Sequence, residues 1–384
     1  MMKTTRVMVV YGGVAPEHEV AVITALQVMN ALKAGGHAVM PVYISKEGNW
    51  FLGGEEYLKP DTYRDLAKTE RLGKRVIFSP DRDFGLLAKG WLGFFPTETQ
   101  PDVIFPVVHG KNGEDGTLQG LFELANVPFV GCGVTASGLK IDKYVAKKVA
   151  ASLFIKVTKD VLVNKGEAPD LTGIKFPVFV KPIGLGSSIG LTKVEKKADL
   201  ADALAVAFCY DNRVMVEEAI TDPIEVNISI IGNDPYELSV TEQPVASGEV
   251  LSFDDKYTCE AGKSRGMASA KRHIPANVDQ KIIKQVEENA LKFFRCIGGR
   301  GIARVDFMAD KKGVVYFNEI NTMPGSLAYY LWEKTGLPFP KLVSRLVELA
   351  LADWEAKQGL IQSFETNILS SFATRGLKGG KKIR

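Results

Sequence analysis

The chain has 384 residues, 46% of them hydrophobic and 24% charged, which is enough apolar surface for two or three folded domains and excludes a disordered chain. Its 48 basic and 45 acidic side chains leave a net charge of +3, too small for a protein that binds nucleic acid through its phosphates. No apolar run reaches the ~18 residues of a membrane span, and the four cysteines lie too far apart for a zinc site or a disulfide framework. We therefore expect a cytoplasmic multi-domain enzyme with no membrane or nucleic-acid partner, whose cysteines are buried free thiols.

The first 131 residues alternate between strand and helix patterns. Short apolar runs predict buried strands over 6–11, 38–45 and 102–108. Apolar residues at helical spacing predict a helix between the first two strands, and another helix is expected near Thr117. This order predicts a parallel, doubly wound sheet that binds ligands beyond the carboxyl ends of its strands. Residues 53–102 show no clear pattern, and we expect loops and short strands there.

The pattern changes after residue 131. A helix is expected over 142–151 and another over 341–357, and between them the patterns predict mainly strands, over 176–182, 214–220, 225–232 and a hairpin at 302–321. The last ten residues, 375–384, carry five basic and no acidic side chains, and we expect them to be disordered.

The hairpin carries an unusual set of polar side chains. If the Asp310–Gly313 turn sets its register, Arg304 faces Glu319 and Asp306 faces Phe317. Side chains alternate along a strand, so Arg304, Asp306, Glu319 and Asn321 share one face. Carboxylate and amide oxygens are ligands that Mg²⁺ prefers, together with substrate phosphates. The alternative is a solvated strand face with an Arg–Glu pair.

A glycine-rich segment and three acidic positions are further candidates. Residues 180–190, VKPIGLGSSIG, place Lys181 before a loop whose small residues let the backbone approach phosphates, although a glycine-rich hairpin with an exposed lysine has the same sequence features. Glu217 and Glu225 follow strands and are either solvated charges or contacts to adenine and ribose. Glu17 begins a helix, where a carboxylate either favours the helix dipole or binds an ammonium group.

In chain order these motifs resemble the D-alanine–D-alanine ligases of the ATP-grasp superfamily, over about residues 6–351. The resemblance rests on GGVAPEHEV, FPVVHGKNGEDGTLQG, an Asp-Lys pair, VKPIGLGSSIG, VEE, DDKY, ARVDF and NEINTMPG, which together are highly specific. It implies an α/β fold in three parts: an N-terminal doubly wound parallel sheet (1–131), a small central α+β domain (132–217) and a C-terminal antiparallel-sheet α+β domain (218–352). Residues 353–384 are then an extension.

The resemblance also implies how ATP is bound. The matching positions are three lysines and a serine for the phosphates, and a group of acidic and apolar residues for adenine and ribose. The phosphate positions are Lys143, Lys181, Lys256 and Ser188, and the adenine and ribose positions are Glu217, Glu218, Ile220 and Glu225. Asp306, Glu319 and Asn321 match the ligands of a pair of Mg²⁺ ions, for which Mn²⁺ can substitute.

The implied reaction joins two D-alanines for peptidoglycan synthesis. ATP phosphorylates the first D-alanine, and the amine of the second D-alanine attacks the acyl phosphate. Glu17 matches the acid that binds the first ammonium group, and it is linked to Ser187 and Tyr257. His109 matches a residue near the first substrate, and Arg304 and the Gly325 N–H match the groups that hold the oxyanion. The resemblance also implies a homodimer.

The second substrate stays open, because the segment 325–332 is shorter than in many family members. There the family has a serine and a leucine near the acceptor carboxylate, and Ser326 and Leu327 are their displaced candidates. The acceptor is D-alanine or another small molecule such as D-serine or D-lactate, although Tyr257 argues against D-lactate because ester-forming relatives often have phenylalanine there. The alternative from another class is an ATP-binding protein without turnover.

Overall fold

The structure is a computed structural model, and it describes residues 4–186, 189–245, 271–361 and 363. The predicted site residues Ser187, Ser188, Lys256 and Tyr257 lie outside the described residues, as does the basic segment 375–384. Within the described ranges, no helix combines the length and the apolar character needed to cross a membrane.

The N-terminal part is a mixed sheet with strand order β6-β5-β4-β3-β2-β1-β7 in the described chain. Strands β2, β1 and β7 run parallel as predicted, but residues 50–96 extend the sheet with antiparallel strands, because short connections favour antiparallel neighbours. The elements are β1 Arg6–Gly12, α1 His18–Ala34, β2 Ala38–Ile44, β3 Trp50–Leu52, α2 Leu66–Leu72, β4 Lys74–Phe78, β5 Leu86–Lys89, β6 Phe94–Pro96, β7 Val103–Val107 and α3 Thr117–Leu124.

The central part is an antiparallel sheet of order β10-β9-β11-β8, with one helix packed on it and two helices preceding it. Its elements are α4 Val134–Ile141, α5 Lys143–Ser152, β8 Asp160–Asn164, β9 Val178–Pro182, β10 Thr192–Val194, α6 Leu200–Ala207 and β11 Arg213–Glu218. The helix predicted over 142–151 and the strands predicted around 176–182 and 214–220 are confirmed.

The C-terminal part contains an antiparallel sheet of order β13-β12-β16-β17. Its elements are β12 Ile224–Gly232, β13 Tyr236–Leu238, β14 Gln243–Pro244, β15 Arg272–His273, α7 Gln280–Cys296, β16 Gly301–Ala309, β17 Val315–Asn321, α8 Tyr329–Thr335 and α9 Phe339–Gln358. The α/β class and the three predicted parts, each with its own sheet, are therefore found, with a mixed N-terminal sheet in place of a wholly parallel one.

Helix α9 belongs to the N-terminal core although it comes from the end of the chain. Leu342, Val343 and Leu346 are fully buried in the same cluster as residues of β1 and α1. The Trp354 indole donates to the Asn126 carbonyl at 2.8 Å, beyond the end of α3. The helix thus passes through residue 352, where we placed the end of the third domain, and closes one face of the first sheet.

The predicted register of the hairpin is wrong. Asp306 pairs with Glu319, and Phe307 pairs with Phe317, so Asn318 is an extra residue in a β-bulge. The bulge reverses which residues face the core, and the aromatic ring of Phe317 packs inside while Glu319 points to the opposite face.

The cysteines also differ from expectation. Cys132 is a buried free thiol as predicted, but Cys209 and Cys296 are free and exposed at the ends of α6 and α7. A side chain as small as cysteine can stay exposed at the end of a helix at little cost. The fourth cysteine, Cys259, lies outside the described residues.

Candidate active site

One face of the third sheet presents two rows of polar side chains, because directly paired residues of neighbouring strands point the same way. The first row runs from Glu242, which bridges to β12, through Asn227, Asp306 and Glu319 on β12, β16 and β17. The second row is Ser229, Arg304 and Asn321. The predicted clustering of Arg304, Asp306, Glu319 and Asn321 on one face is therefore found, in a different register.

The sequence analysis named Glu225 on β12 but missed the other residues of this face, Asn227 and Ser229 on β12 and Glu242 just before β14. Glu225, Asn227 and Ser229 alternate with buried apolar residues, and this period of two was the available signal. Glu242 lies in a two-residue bridge outside any clear strand pattern, so no local signal marked it.

Arg304 and Asp306 form a buried, bidentate ion pair. Nε and Nη2 of Arg304 donate to Oδ1 and Oδ2 of Asp306, both at 2.7 Å, and the Asn321 amide donates to Oδ2 at 3.0 Å. Burial raises the pKa of Asp306. Arg304 lowers this pKa, whereas the neighbouring carboxylates of Glu319 and Glu242 raise it further. Two carboxylates and an amide in a buried, anionic row are hard oxygen donors, so the residues fit a divalent cation such as Mg²⁺.

Two lysines face these acids from the central part of the chain. The Lys143 ammonium is 3.8 Å from Oε2 of Glu319 and also donates to the Leu185 carbonyl of the glycine-rich segment. Burial lowers the pKa of Lys143, and Glu319 opposes this shift. Lys181 lies at the end of β9 and forms an ion pair with Glu217 on β11.

Glu217 is held by a second lysine that the sequence analysis did not identify. Lys147 donates to Oε2 of Glu217 at 2.7 Å and to Thr158 Oγ1 at 2.8 Å, and its ammonium lies 3.0 Å from Asp160. Burial disfavours the Glu217 carboxylate, but the two lysines outweigh burial and hold its pKa well below the usual range. Lys147 lies one helical turn after Lys143, and that spacing was the available signal.

These groups surround a cavity of about 740 Å³ between the central and C-terminal sheets. Its lining combines the two lysines and the acids of the hairpin with apolar side chains such as Phe179, Leu191 and Met308. Of the predicted nucleotide and metal residues, the cavity brings together Lys143, Lys181, Glu217, Glu218, Ile220, Glu225, Asp306 and Glu319. Its volume is in the range of ligand pockets.

Glu17 and His109 lie at the carboxyl edge of the first sheet. A Cβ on Gly110 would be 2.7 Å from one Glu17 oxygen, and a Cβ on Gly186 would be 3.0 Å from the other, so the carboxylate lies between these two loops. His109 contacts Thr24 Oγ1 at 3.2 Å, and burial lowers the pKa of His109, which favours its neutral form. Glu17 therefore lies directly beside the glycine-rich segment that carries the predicted phosphate site.

The short loop after β17 has a strained backbone. Ser326, Leu327 and Ala328 have φ angles of 52°, 52° and 47°, a left-handed conformation that non-glycine residues rarely adopt. The Leu327 side chain is fully buried in the core with α1 and α9, and Gly325 is half-buried where the loop begins. Of the predicted acceptor residues, Leu327 is thus placed among core side chains.

A buried charged cluster that the sequence analysis did not assign lies beside this loop. Arg272 Nη1 donates to Glu242 Oε2 at 2.6 Å, and its guanidinium lies 4.0 Å from the ring centroid of Tyr330. The Tyr330 hydroxyl donates to Glu242 Oε1 at 3.3 Å. Both Glu242 and Tyr330 act electrostatically on Arg304.

The family model described as "D-ala D-ala ligase N-terminus" matches residues 6–132, and the one described as "D-ala D-ala ligase C-terminus" matches residues 148–348. A D-alanine–D-alanine ligase of Geobacillus thermodenitrificans is 38% identical over 374 residues, covering 94% of this chain and 99% of the relative. One from Listeria monocytogenes is 36% identical, with 94% and 99% covered.

Solved structures are also similar. The VanG D-Ala:D-Ser ligase of Enterococcus faecalis has a TM-score of 0.76 at 30% identity, covering 91% of this chain and 100% of that one. The D-alanine–D-alanine ligase of Coxiella burnetii has a TM-score of 0.76 at 27% identity, with 92% and 96% covered. With matches over both halves of the chain, this protein belongs to the D-alanine–D-alanine ligase family, a family of ATP-dependent enzymes.

Proposed function

We propose that this protein joins two D-alanines in an ATP- and Mg²⁺-dependent reaction that supplies D-alanyl-D-alanine for peptidoglycan. The observation that carries the proposal is the cavity of about 740 Å³ whose lining combines Lys143 and Lys181 with Asp306 and Glu319. Cations for phosphate oxygens and hard oxygen donors for metal ions are what phosphoryl transfer needs, because its catalysis depends on positioning and charge neutralisation.

In the first step, a carboxylate oxygen of one D-alanine attacks the γ-phosphorus of ATP, and ADP leaves with the electrons of the broken P–O bond. Lys143 and Lys181 would hold the phosphates, and Glu17 would bind the substrate ammonium beside the glycine-rich segment. A pair of Mg²⁺ ions held by Asp306, Glu319 and Asn321, when bound, would neutralise the charge of the transferring phosphate.

In the second step, the amine of the acceptor D-alanine attacks the acyl carbon, a proton leaves the amine, and phosphate departs. Arg304 lies on the same sheet face as the metal-binding set, and its guanidinium is fixed by the two bonds to Asp306. A fixed cation at this position, together with the Gly325 N–H, would stabilise the developing oxyanion. Ser187, Lys256 and Tyr257 keep their proposed roles from sequence alone, since they lie outside the described residues.

The direct test measures phosphate release and product mass with ATP, MgCl₂ and D-alanine, and with D-serine or D-lactate as the competing acceptor. We expect D-alanyl-D-alanine as the main product. No phosphate release above background at millimolar D-alanine would contradict the function.

The metal assignment is tested with Glu319→Gln, which should abolish turnover because it removes a carboxylate ligand. The matched control is Glu237→Gln on the same sheet, an exposed residue 3.7 Å from Arg345, and it should leave turnover unchanged. Unchanged activity of the Glu319 variant would contradict the assignment.

We also propose a homodimer that forms through the N-terminal sheet. The loop between β5 and β6 exposes Trp91 and Leu92, which are 95% and 82% accessible, next to the edge strand that carries Phe95. Exposed aromatic groups at a sheet edge are typical of protein contacts. Sedimentation should give a dimer for the native chain and a monomer for Trp91→Glu/Leu92→Glu, and a native monomer would contradict this proposal.

We place the reaction in the cytoplasm, where ATP is available. The exposed free thiols of Cys209 and Cys296 are consistent with a reducing compartment. Fractionation of the native host cells should recover the protein with cytoplasmic markers.

A further inference from the structure

Lys143 and the glycine-rich segment reach the cavity from two different elements, yet they contact each other. The Lys143 ammonium donates to the Leu185 carbonyl, and the Lys143 N–H donates to the Ile183 carbonyl at 3.4 Å. Lys143, Leu185 and Gly186 all line the cavity. The position of the Lys143 ammonium therefore depends on the start of α5 and on residues 183–186 together.

An aspartate holds each of these two segments. Asp211 Oδ2 accepts the Gly184 N–H at 2.9 Å, within the glycine-rich segment. Asp142 is the N-cap of α5, where its Oδ1 accepts the Val145 N–H at 2.9 Å. Neither aspartate is among the described residues that line the cavity, so both act on the segments that form its wall.

Arg213, the first residue of β11, joins the two aspartates. Its Nη1 donates to Asp142 Oδ2 at 2.7 Å. Its N–H donates to Asp211 Oδ1 at 3.0 Å, and its carbonyl accepts the Ile183 N–H at 3.3 Å. These bonds complete a ring in which Arg213 links the glycine-rich segment to the residue that precedes Lys143.

The ion pair of Arg213 with Asp142 contributes little to the stability of the fold. The two side chains are 40% and 18% exposed, and solvent screens a pair of this kind. A group that binds phosphate, in contrast, must be held close to its productive position, since a small displacement weakens the contact strongly. The pair should therefore matter more for the position of Lys143 than for folding.

Resting on the ligase function proposed above, we propose that Arg213 is a positioning residue for the phosphates of ATP. It joins the glycine-rich segment and the start of α5 into one unit, so that Lys143 meets the phosphate oxygens in a single geometry. Lys143 makes the direct contact with the phosphates, and Arg213 acts only through Asp142 and Asp211.

The test compares ligands with and without phosphates. Titration calorimetry gives the Kd of ADP with MgCl₂ and the Kd of adenosine, and steady-state kinetics give the KM of ATP and of D-alanine. In Arg213→Met the Kd of ADP and the KM of ATP should each rise about 10-fold, the lower end of the effect of one charge-assisted hydrogen bond. The values for adenosine and D-alanine should change by no more than about 2-fold, because neither carries a phosphate. A merely structural role of Arg213 would weaken all four alike.

Two further variants test the route of action. Asparagine is as good an N-cap as aspartate, so Asp142→Asn loses the ion pair but keeps the start of the helix. It should raise the Kd of ADP by a similar factor, and the double variant Asp142→Asn/Arg213→Met should bind ADP no more weakly than Arg213→Met alone. The matched control is Arg295→Met, because Arg295 forms an ion pair with Asp234 at 3.0 Å on the surface, and it should keep the wild-type values.

Three results would overturn the inference: an unchanged Kd of ADP in Arg213→Met, an equal loss of adenosine binding, or multiplicative effects in the double variant. A wild-type enzyme that binds ADP but makes no D-alanyl-D-alanine would overturn the ligase function instead.

Discussion

Replacing Lys147 by methionine should destabilise the nucleotide side of the site without touching the cavity wall directly. The lysine side chain is 1% exposed and contacts Glu217, Asp160 and Thr158 within 2.7–3.0 Å. Removing one partner of a buried ion pair costs about 3–5 kcal/mol. Lys181 remains on Glu217, so we expect the lower end, about 3 kcal/mol in the free energy of unfolding.

The assay is urea unfolding at pH 7 for a double-mutant cycle of Lys147→Met and Glu217→Gln. Because the two side chains contact each other, the coupling energy should be about 1.5–3 kcal/mol. The pKa of Glu217 is lowered in the folded state, so its contribution is present above its ordinary pKa of 4.5 and is lost as the pH falls below that value. We therefore expect the difference between the wild-type chain and Glu217→Gln to shrink as the pH is lowered below 4.5.

The control is Lys148→Met. Lys148 contacts the other oxygen of Asp160 at 2.6 Å, but its side chain is 47% exposed, so its loss should cost no more than about 1 kcal/mol. A coupling energy below about 0.5 kcal/mol, or equal costs for the Lys147 and Lys148 variants, would refute the reasoning.

Two further changes have clear expected outcomes. Gly301→Ala should lower the free energy of unfolding by about 1–3 kcal/mol, because φ is +70° and the new methyl would be 2.7 Å from the Gly131 Cα. The control is Gly120→Ala, whose methyl meets nothing within 4 Å and which should not lower the free energy of unfolding. Equal stability of the two variants in urea would contradict this prediction. Burial lowers the pKa of His109 in the folded chain, so the unfolded chain takes up a proton first and the folded state loses stability as the pH falls below 6.5. His109→Gln should therefore flatten the fall in thermal midpoint between pH 7 and pH 5. An unchanged slope would contradict the assignment.

The main strands and helices follow from local patterns, because hydrophobic periodicity depends on neighbouring residues alone. The polar face of the hairpin was predictable for the same reason, but its register was not. A single extra residue, Asn318, decides whether Phe317 or Glu319 faces the core, and the Asp310–Gly313 turn contains no signal for that bulge.

Contacts between distant segments explain the other differences. Lys147 meets Glu217 across 70 positions, and Glu242 meets Arg272 across 30, so neither pair follows from spacing along one element. Short strands were expected over residues 53–102 and are found there, but their bounds and antiparallel pairing could not be predicted because each has only three to five residues and β6 is exposed along its length. Ser326 and Leu327 could be located by their motif, but the direction of their N–H groups depends on backbone angles that only the fold specifies.

Helix α9 has a consequence for how the chain is made. The first sheet emerges from the ribosome with the surface around Val28 and Leu32 uncovered, and the residues that cover it, such as Leu342 and Leu346, follow more than three hundred positions later. At synthesis rates of about 5–20 residues per second, this apolar surface stays open for roughly 15–60 s. The N-terminal part should therefore complete its core only when translation ends, and fragments that stop before α9 should bind chaperones or aggregate.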